Sequence, residues 1–140
     1  MRVQKVVLTI LMLLALGNVA LGNDSGQSQF RLLGIQDGLP NQKIHAMDQD
    51  REGYLWIASN DGLARFDGNH FRIYRHMPGD DSALPGNAVL MVHADGDNRI
   101  WVSVEGFGLY RMNAERNGFD AVLLHDGLEP VSDIWSITSE

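Results

Sequence analysis

The sequence predicts an all-β protein built from a repeat of about 45 residues. Three observations predict it: short apolar runs alternate with glycine-bearing turns, no convincing amphipathic helix follows the N-terminal region, and corresponding residues recur at a nearly constant spacing. Leu39-Pro40 returns as Leu84-Pro85, and Leu55-Trp56 returns as Ile100-Trp101, each 45 positions later. A repeat of this length made of strands indicates one folding unit per copy.

Each copy is expected to contain four short strands separated by turns. The turns at 51–53, 67–69 and 96–98 are rich in Gly, Asp and Asn, which tolerate the positive φ of tight hairpins. A further outer strand is expected at 30–35, before the first copy. The predicted strands are 44–50, 55–59, 63–66 and 71–74 in the first copy, and 89–95, 100–104, 109–112 and 119–123 in the second.

Four antiparallel strands per copy are typical of a β-propeller blade. The copies predict blades at 39–83 and 84–128 and the start of another at 129–140, so the propeller is incomplete. Because fewer than three full repeats are present, we expect this stretch to be marginally stable alone. Residues expected to serve blade packing are Trp56 and Trp101, which would fill the gap between sheets, together with Gly53, Gly62 and Gly108.

The N-terminus has the three parts of a secretory signal peptide. Arg2 and Lys5 precede an apolar run at 6–16, and Ala20-Leu21-Gly22 supplies small residues for cleavage. An uncleaved membrane anchor is the weaker alternative, since a span needs about 18 apolar residues. We therefore predict a signal peptide at 1–22 and an exported, periplasmic segment at 23–140.

Composition excludes several classes of protein. The 140 residues are 44% hydrophobic, enough to bury a core, and carry a net charge of −7, which disfavours a nucleic-acid partner. Since the chain has no cysteine, it has no disulfide, thiol nucleophile or iron–sulfur ligand.

The residues Gly38-Leu39-Pro40, then Asp50-Arg51-Glu52-Gly53-Tyr54-Leu55-Trp56-Ile57, then Gly62-Leu63 resemble the two-component regulator propeller repeat. Its pattern runs G-L-P, D-x-x-G-x-x-W-I-G-T and G-L, and the second copy is similar from Leu84 to Leu109. The chain departs from the pattern at Ala58-Ser59, and Asn98 stands where the first copy has Gly53.

The resemblance implies the extracytoplasmic sensor of a longer receptor. Such receptors carry further blades, a β-sandwich, one membrane helix and a cytoplasmic histidine kinase or diguanylate cyclase. On this basis the chain is the N-terminal fragment of an inner-membrane-anchored receptor. Its expected partners are a small-molecule or glycan ligand, the remaining blades and the output domain.

Ligands of propellers usually meet the loops that join second to third strands and one blade to the next. The residues expected at this end are Asn60, Asp61, Asn87, Glu105 and Phe107. The alternative is that the polar ones serve only turn geometry. Phe107 is the strongest candidate for ligand binding, because the sequence shows no structural reason for a large ring between two glycines in a turn.

We expect no catalytic, cofactor-binding or metal-binding residues. Asp48-x-Asp50-x-Glu52-Gly53 begins like a calcium loop, but the twelfth position is Ser59 rather than an acidic residue. Two alternatives to a sensor stay open: a stand-alone periplasmic interaction protein completed by oligomerisation and, less favoured, a fragment of a propeller glycosidase.

Overall fold

The computed structural model describes residues 30–123, 134, 136 and 137. The chain divides into two units, Met1–Arg31 and Leu32–Glu140. Both sheets described below belong to the second unit. The predicted signal peptide at 1–22 lies outside the described residues, as does nearly all of the predicted third copy at 129–140. Among the described residues, no helix is long and apolar enough to span a membrane.

The second unit contains two four-stranded antiparallel sheets, one in each predicted repeat. Both sheets have their strands in sequence order, so each is a simple meander. The predicted all-β class and the four-strand unit are confirmed, with strand ends displaced by at most one residue. The first sheet comprises β1 (Ile44–Gln49), β2 (Leu55–Ser59), β3 (Gly62–Phe66) and β4 (Phe71–Tyr74), and the second comprises β5 (Val89–Ala94), β6 (Ile100–Val104), β7 (Gly108–Met112) and β8 (Phe119–Val122).

The outer strand expected at 30–35 is not present. Residues 30–34 have no regular structure, and Ile35–Asp37 form a 3-10 turn that ends at Gly38. A strand exists only through ladder hydrogen bonds to a neighbour. Within the described residues, 30–35 pairs with neither edge strand of the first sheet, so it forms no ladder.

The hydrophobic core lies between the two sheets. In an antiparallel sheet, directly opposite residues point to the same face, so the register places Trp56, Arg65 and Arg72 on one face of the first sheet. Trp56 on that face packs against the second sheet, whereas Arg72 is exposed. The core residues are Trp56, Ala58, Leu63, Tyr74, Leu84, Val89, Val92, Ile100, Val102, Val104, Met112 and Phe119.

The β1–β2 and β5–β6 turns have the same shape despite different residues. Gly53 adopts φ +88°, and Asn98, at the same position in the second copy, adopts φ +64°. Asn is among the few non-glycine residues that enter the left-handed region readily. The replacement of Gly by Asn in the repeat therefore leaves the hairpin intact.

Candidate functional site

The residues expected to bind ligand lie at one end of the two sheets. This loop end comprises the β2–β3 turn at 60–61, the β6–β7 turn at 105–107 and the last residues of the β4–β5 connection at 86–88. Backbone hydrogen bonds join the three segments: Gly62 N donates to Asn87 O at 2.7 Å, and Glu105 N donates to Ala88 O at 2.9 Å. The structure thus brings together residues that are 47 positions apart in sequence.

The polar side chains of the first turn are held by neighbours in the same sheet. Asn60 Oδ1 lies 2.6 Å from His45 Nε2. Arg75 donates from Nη2 to Asp61 Oδ2 at 2.9 Å and from Nε to Asp61 O at 3.1 Å. Because these contacts are exposed, they orient the turn without removing it from solvent.

Asn87 has a structural role that its position in the sequence did not reveal. Its side-chain Oδ1 accepts a hydrogen bond from His76 N at 2.8 Å, while its backbone oxygen accepts from Gly62. The residue therefore links the start and the end of the β4–β5 connection to the first sheet. Glu105, by contrast, has an exposed side chain.

Phe107 packs over Gly86. A Cβ placed on Gly86 would come within 3.0 Å of the Phe107 ring and 3.4 Å of Val104 Cγ1. The ring therefore has a packing partner, which the sequence did not indicate, yet it remains 55% exposed. The outward side of the ring is an apolar surface within an otherwise polar loop end.

At the opposite end of the sheets, one aspartate organises the β1–β2 hairpin and another organises the β5–β6 hairpin. Asp50 Oδ1 accepts hydrogen bonds from Glu52 N and Tyr54 N, both at 3.0 Å, and Oδ2 accepts from Trp56 Nε1 at 2.9 Å. We call this arrangement the aspartate clip. It explains why the aspartate and the tryptophan of the repeat are six positions apart.

The second copy repeats the clip at Asp95. Its Oδ1 accepts from Asp97 N and Arg99 N, both at 2.9 Å, and its Oδ2 accepts from Trp101 Nε1 at 2.8 Å. Sequence reasoning assigned the tryptophans to packing and missed their aspartate partners. The signal that could have revealed them was the recurrence of the aspartate at a fixed distance before each tryptophan.

The two clips take their cation from different places. Arg116, in the β7–β8 turn of the second sheet, donates to Asp50 Oδ2 at 3.0 Å, whereas Asp95 Oδ2 accepts from Arg99 Nε of its own hairpin at 2.7 Å. Burial opposes ionisation of both carboxyls, but hydrogen bonds from the indole, the guanidinium and backbone N–H groups outweigh it, so the pKa of Asp50 and of Asp95 lies below its ordinary value.

The tryptophans differ in exposure. Trp56 is fully buried and stacks on Tyr74 with ring centroids 5.9 Å apart. Trp101 is half-buried on the far face of the second sheet, where the guanidinium carbons of Arg99 and Arg111 each lie 5.8 Å from its ring. Only the first tryptophan has a second sheet against it among the described residues.

Asp48 is engaged within the protein. Its Oδ2 accepts from Ala94 N at 2.8 Å and lies 3.0 Å from His93 Nδ1, which joins β1 to β5. Across the described part of the chain, no three His, Asp or Glu side chains form a group that could hold a metal ion.

The comparisons with known proteins agree on one class. Residues 38–61 match the model of the two component regulator propeller family. A stretch of 48 residues, 34% of this chain, is 42% identical to histidine kinase P4 of Formosa agariphila and covers 4% of that protein. The fold matches the extracellular domain of a hybrid two component system from B. thetaiotaomicron with a TM-score of 0.60 and 31% identity, over 74% of this chain and 14% of that one. This chain therefore spans a small part of both relatives.

Proposed function

We propose that this chain, which carries a two component regulator propeller repeat at residues 38–61, is the exported, ligand-sensing propeller segment of a bacterial signal-transduction receptor. The output domain of such a receptor is a histidine kinase or a diguanylate cyclase. The observation that carries the proposal is the match, at 31% identity over 74% of this chain, to an extracellular domain of a hybrid two component system. The histidine kinase match supports the same class.

The loop end is the proposed ligand-binding surface. It combines an exposed apolar ring, Phe107, with polar groups at Asn60, Asp61, Asn87 and Glu105, and its three segments are tied together by backbone hydrogen bonds. Apolar surface with a few fixed polar groups suits a small organic molecule or a glycan. Ligand binding would favour one of two conformations that a distant output domain can distinguish.

The segment is proposed to act without catalysis of its own. The carboxylates of Asp50 and Asp95 accept hydrogen bonds from backbone, indole and guanidinium groups, which fits a structural role. Chemistry in the receptor would then belong to its output domain.

Export is tested by fusing the chain to alkaline phosphatase, which is active only outside the cytoplasm. The fusion is expected to be active, and Leu13→Arg, which places a charge in the apolar run at 6–16, is expected to abolish activity. An active Leu13→Arg fusion or an inactive parent fusion would contradict export.

Ligand sensing is tested by thermal unfolding of the chain against a panel of oligosaccharides and small organic molecules. A compound that raises Tm is then tested with Phe107→Ala, and with Met47→Ala as a control because Met47 is 63% exposed but lies on β1. Loss of the shift in Phe107→Ala alone supports the loop end. An equal shift in both variants would exclude Phe107 from the site.

Size-exclusion chromatography separates the sensor segment from a stand-alone oligomer. A propeller segment is expected to run as a monomer or to aggregate through its exposed edges. A single closed oligomer would instead favour an interaction protein that completes its propeller from several copies.

A further inference from the structure

Two arginines face each other on the first sheet. Arg65 on β3 and Arg72 on β4 are directly opposite, so both side chains leave the same face. Arg65 is half-buried and Arg72 is exposed. Like charges in opposite positions weaken a strand pair, so this arrangement needs a reason.

The second copy resolves the same position differently. Arg111 corresponds to Arg65 by repeat position, and the residue opposite it on the neighbouring strand is Asp120. The second sheet thus places opposite charges where the first places two positive charges. Because the first copy has Arg72 where the second has Asp120, two positive charges lie side by side in a chain whose net charge is −7.

An aromatic ring lies under each of the two guanidiniums. Arg65 Cζ lies 4.4 Å from the Tyr54 ring centroid, and Arg72 Cζ lies 5.0 Å from the Tyr74 ring centroid. Stacking uses the flat face of a guanidinium and leaves its five N–H donors, which lie in the plane, available. Within the described part of the chain, these ring contacts are the only interactions that either guanidinium makes at hydrogen-bond, ion-pair or ring-contact distance.

Two acidic side chains in the turns of the first sheet, Asp50 and Asp67, have other hydrogen-bond partners. Hydrogen bonds to Asp67 Oδ1 from His70 N at 2.7 Å and from Asn69 N at 2.8 Å, with a smaller through-space contribution from Arg65, hold the pKa of Asp67 below its ordinary value. Asp50 is paired with Arg116 at 3.0 Å. No carboxylate of the described residues lies within ion-pair distance of Arg65 or Arg72, so the N–H donors of both guanidiniums are open to solvent or to a ligand.

We propose that Arg65 and Arg72 form a binding site for an oxyanion, a phosphate or carboxylate group, held by forked guanidinium hydrogen bonds. Arginine presents two parallel N–H donors that match the spacing of such oxygens. A bound anion would also remove the repulsion between the two strands. The site is separate from the loop end, so it stands or falls independently of the proposed function.

The test follows the arginine Nε–Hε resonances of the chain by NMR during titration with inorganic phosphate. Chloride replaces phosphate at constant ionic strength, so that screening is unchanged. Saturable shifts confined to Arg65 and Arg72 are expected, and a parallel titration with acetate shows whether a carboxylate serves as well. Absence of saturation with both anions would overturn the proposal.

Arg72→Asp installs the residue of the second copy and supplies an internal partner for Arg65. It is expected to weaken phosphate binding by at least about tenfold, since one of two charged forks is lost. Arg51→Asp, the same charge change on the exposed β1–β2 turn, is expected to keep binding within about twofold. An equal loss in both variants would assign the effect to net charge and overturn the site. If Arg72→Asp does not fold, Arg72→Gln is compared with Arg51→Gln, which removes the same single charge.

Discussion

Arg116 Nη1 of the second sheet lies 3.0 Å from Asp50 Oδ2 of the first, although the two residues are 66 positions apart in sequence. The Asp50 side chain is fully buried and that of Arg116 is 21% exposed. Arg116 also donates from Nη2 to Asn98 O at 3.2 Å, and its backbone oxygen accepts from Tyr74 Oη at 3.3 Å. Arg116, which adopts φ +54°, therefore joins the β1–β2 hairpin of the first sheet to the β5–β6 hairpin of the second.

Arg116→Ala is expected to lower the free energy of unfolding by about 3 kcal/mol, because it leaves a buried carboxylate without its cation. Urea unfolding measures this loss. Arg75→Ala is the control, since it removes an exposed ion pair worth about 0–1 kcal/mol. Equal losses in the two variants would mean that Arg116 does not hold the sheets together.

Acid is expected to destabilise the chain through the two clips. The pKa of Asp95 and of Asp50 is lower in the folded chain than in the unfolded chain, where Asp titrates near 3.9. Their contribution is therefore complete above about pH 5 and is lost as the pH falls through 4 toward the folded values.

Asp95→Asn tests this pH dependence. The variant is expected to be less stable than the parent at pH 6 but to lose less stability between pH 6 and pH 3 in urea unfolding. Asp97→Asn serves as the control, because the Asp97 side chain is 75% exposed. A parent-like acid slope in Asp95→Asn would show that the clip does not carry the pH dependence.

Gly62→Ala is expected to be far more destabilising than Gly68→Ala, as measured by Tm. Both glycines have positive φ, +110° and +100°, but a Cβ on Gly62 would lie 2.4 Å from Tyr74 O, whereas Gly68 has nothing within 4 Å. Gly68→Ala is expected to cost about 1–2 kcal/mol from backbone strain alone. Similar Tm values would mean that β4 moves easily away from the β2–β3 turn.

Trp56→Phe is expected to cost about 3 kcal/mol, because it leaves a cavity in the core and removes the indole donor to the buried Asp50 carboxylate. Trp101→Phe is expected to cost at least about 1 kcal/mol less than Trp56→Phe, since the Trp101 ring is only half-buried. Denaturant unfolding compares the two directly. Equal costs would indicate that the far face of the second sheet is covered as fully as the first.

The sequence by itself determined the repeat, the eight strands of the two sheets and the turns between them, whereas the strand it predicted at 30–35 is absent from the structure. Leu55–Ser59 and Ile100–Val104 were predictable to the residue, because short apolar runs between Gly, Asp and Asn turns leave little choice of conformation. The five loop-end residues could be proposed for the same reason, since the topology of a repeat fixes which loops share an end.

Only the tertiary structure decided which cation completes each clip. Asp50 takes Arg116 from the neighbouring sheet, while Asp95 takes Arg99 from its own hairpin. It also decided that Phe107 packs over Gly86, and that the residue directly opposite Arg65 in the sheet is Arg72 rather than an acidic residue. Repeat spacing gives the position of a residue along a strand, but contacts between sheets depend on twist, register and side-chain reach, which no single stretch of sequence encodes.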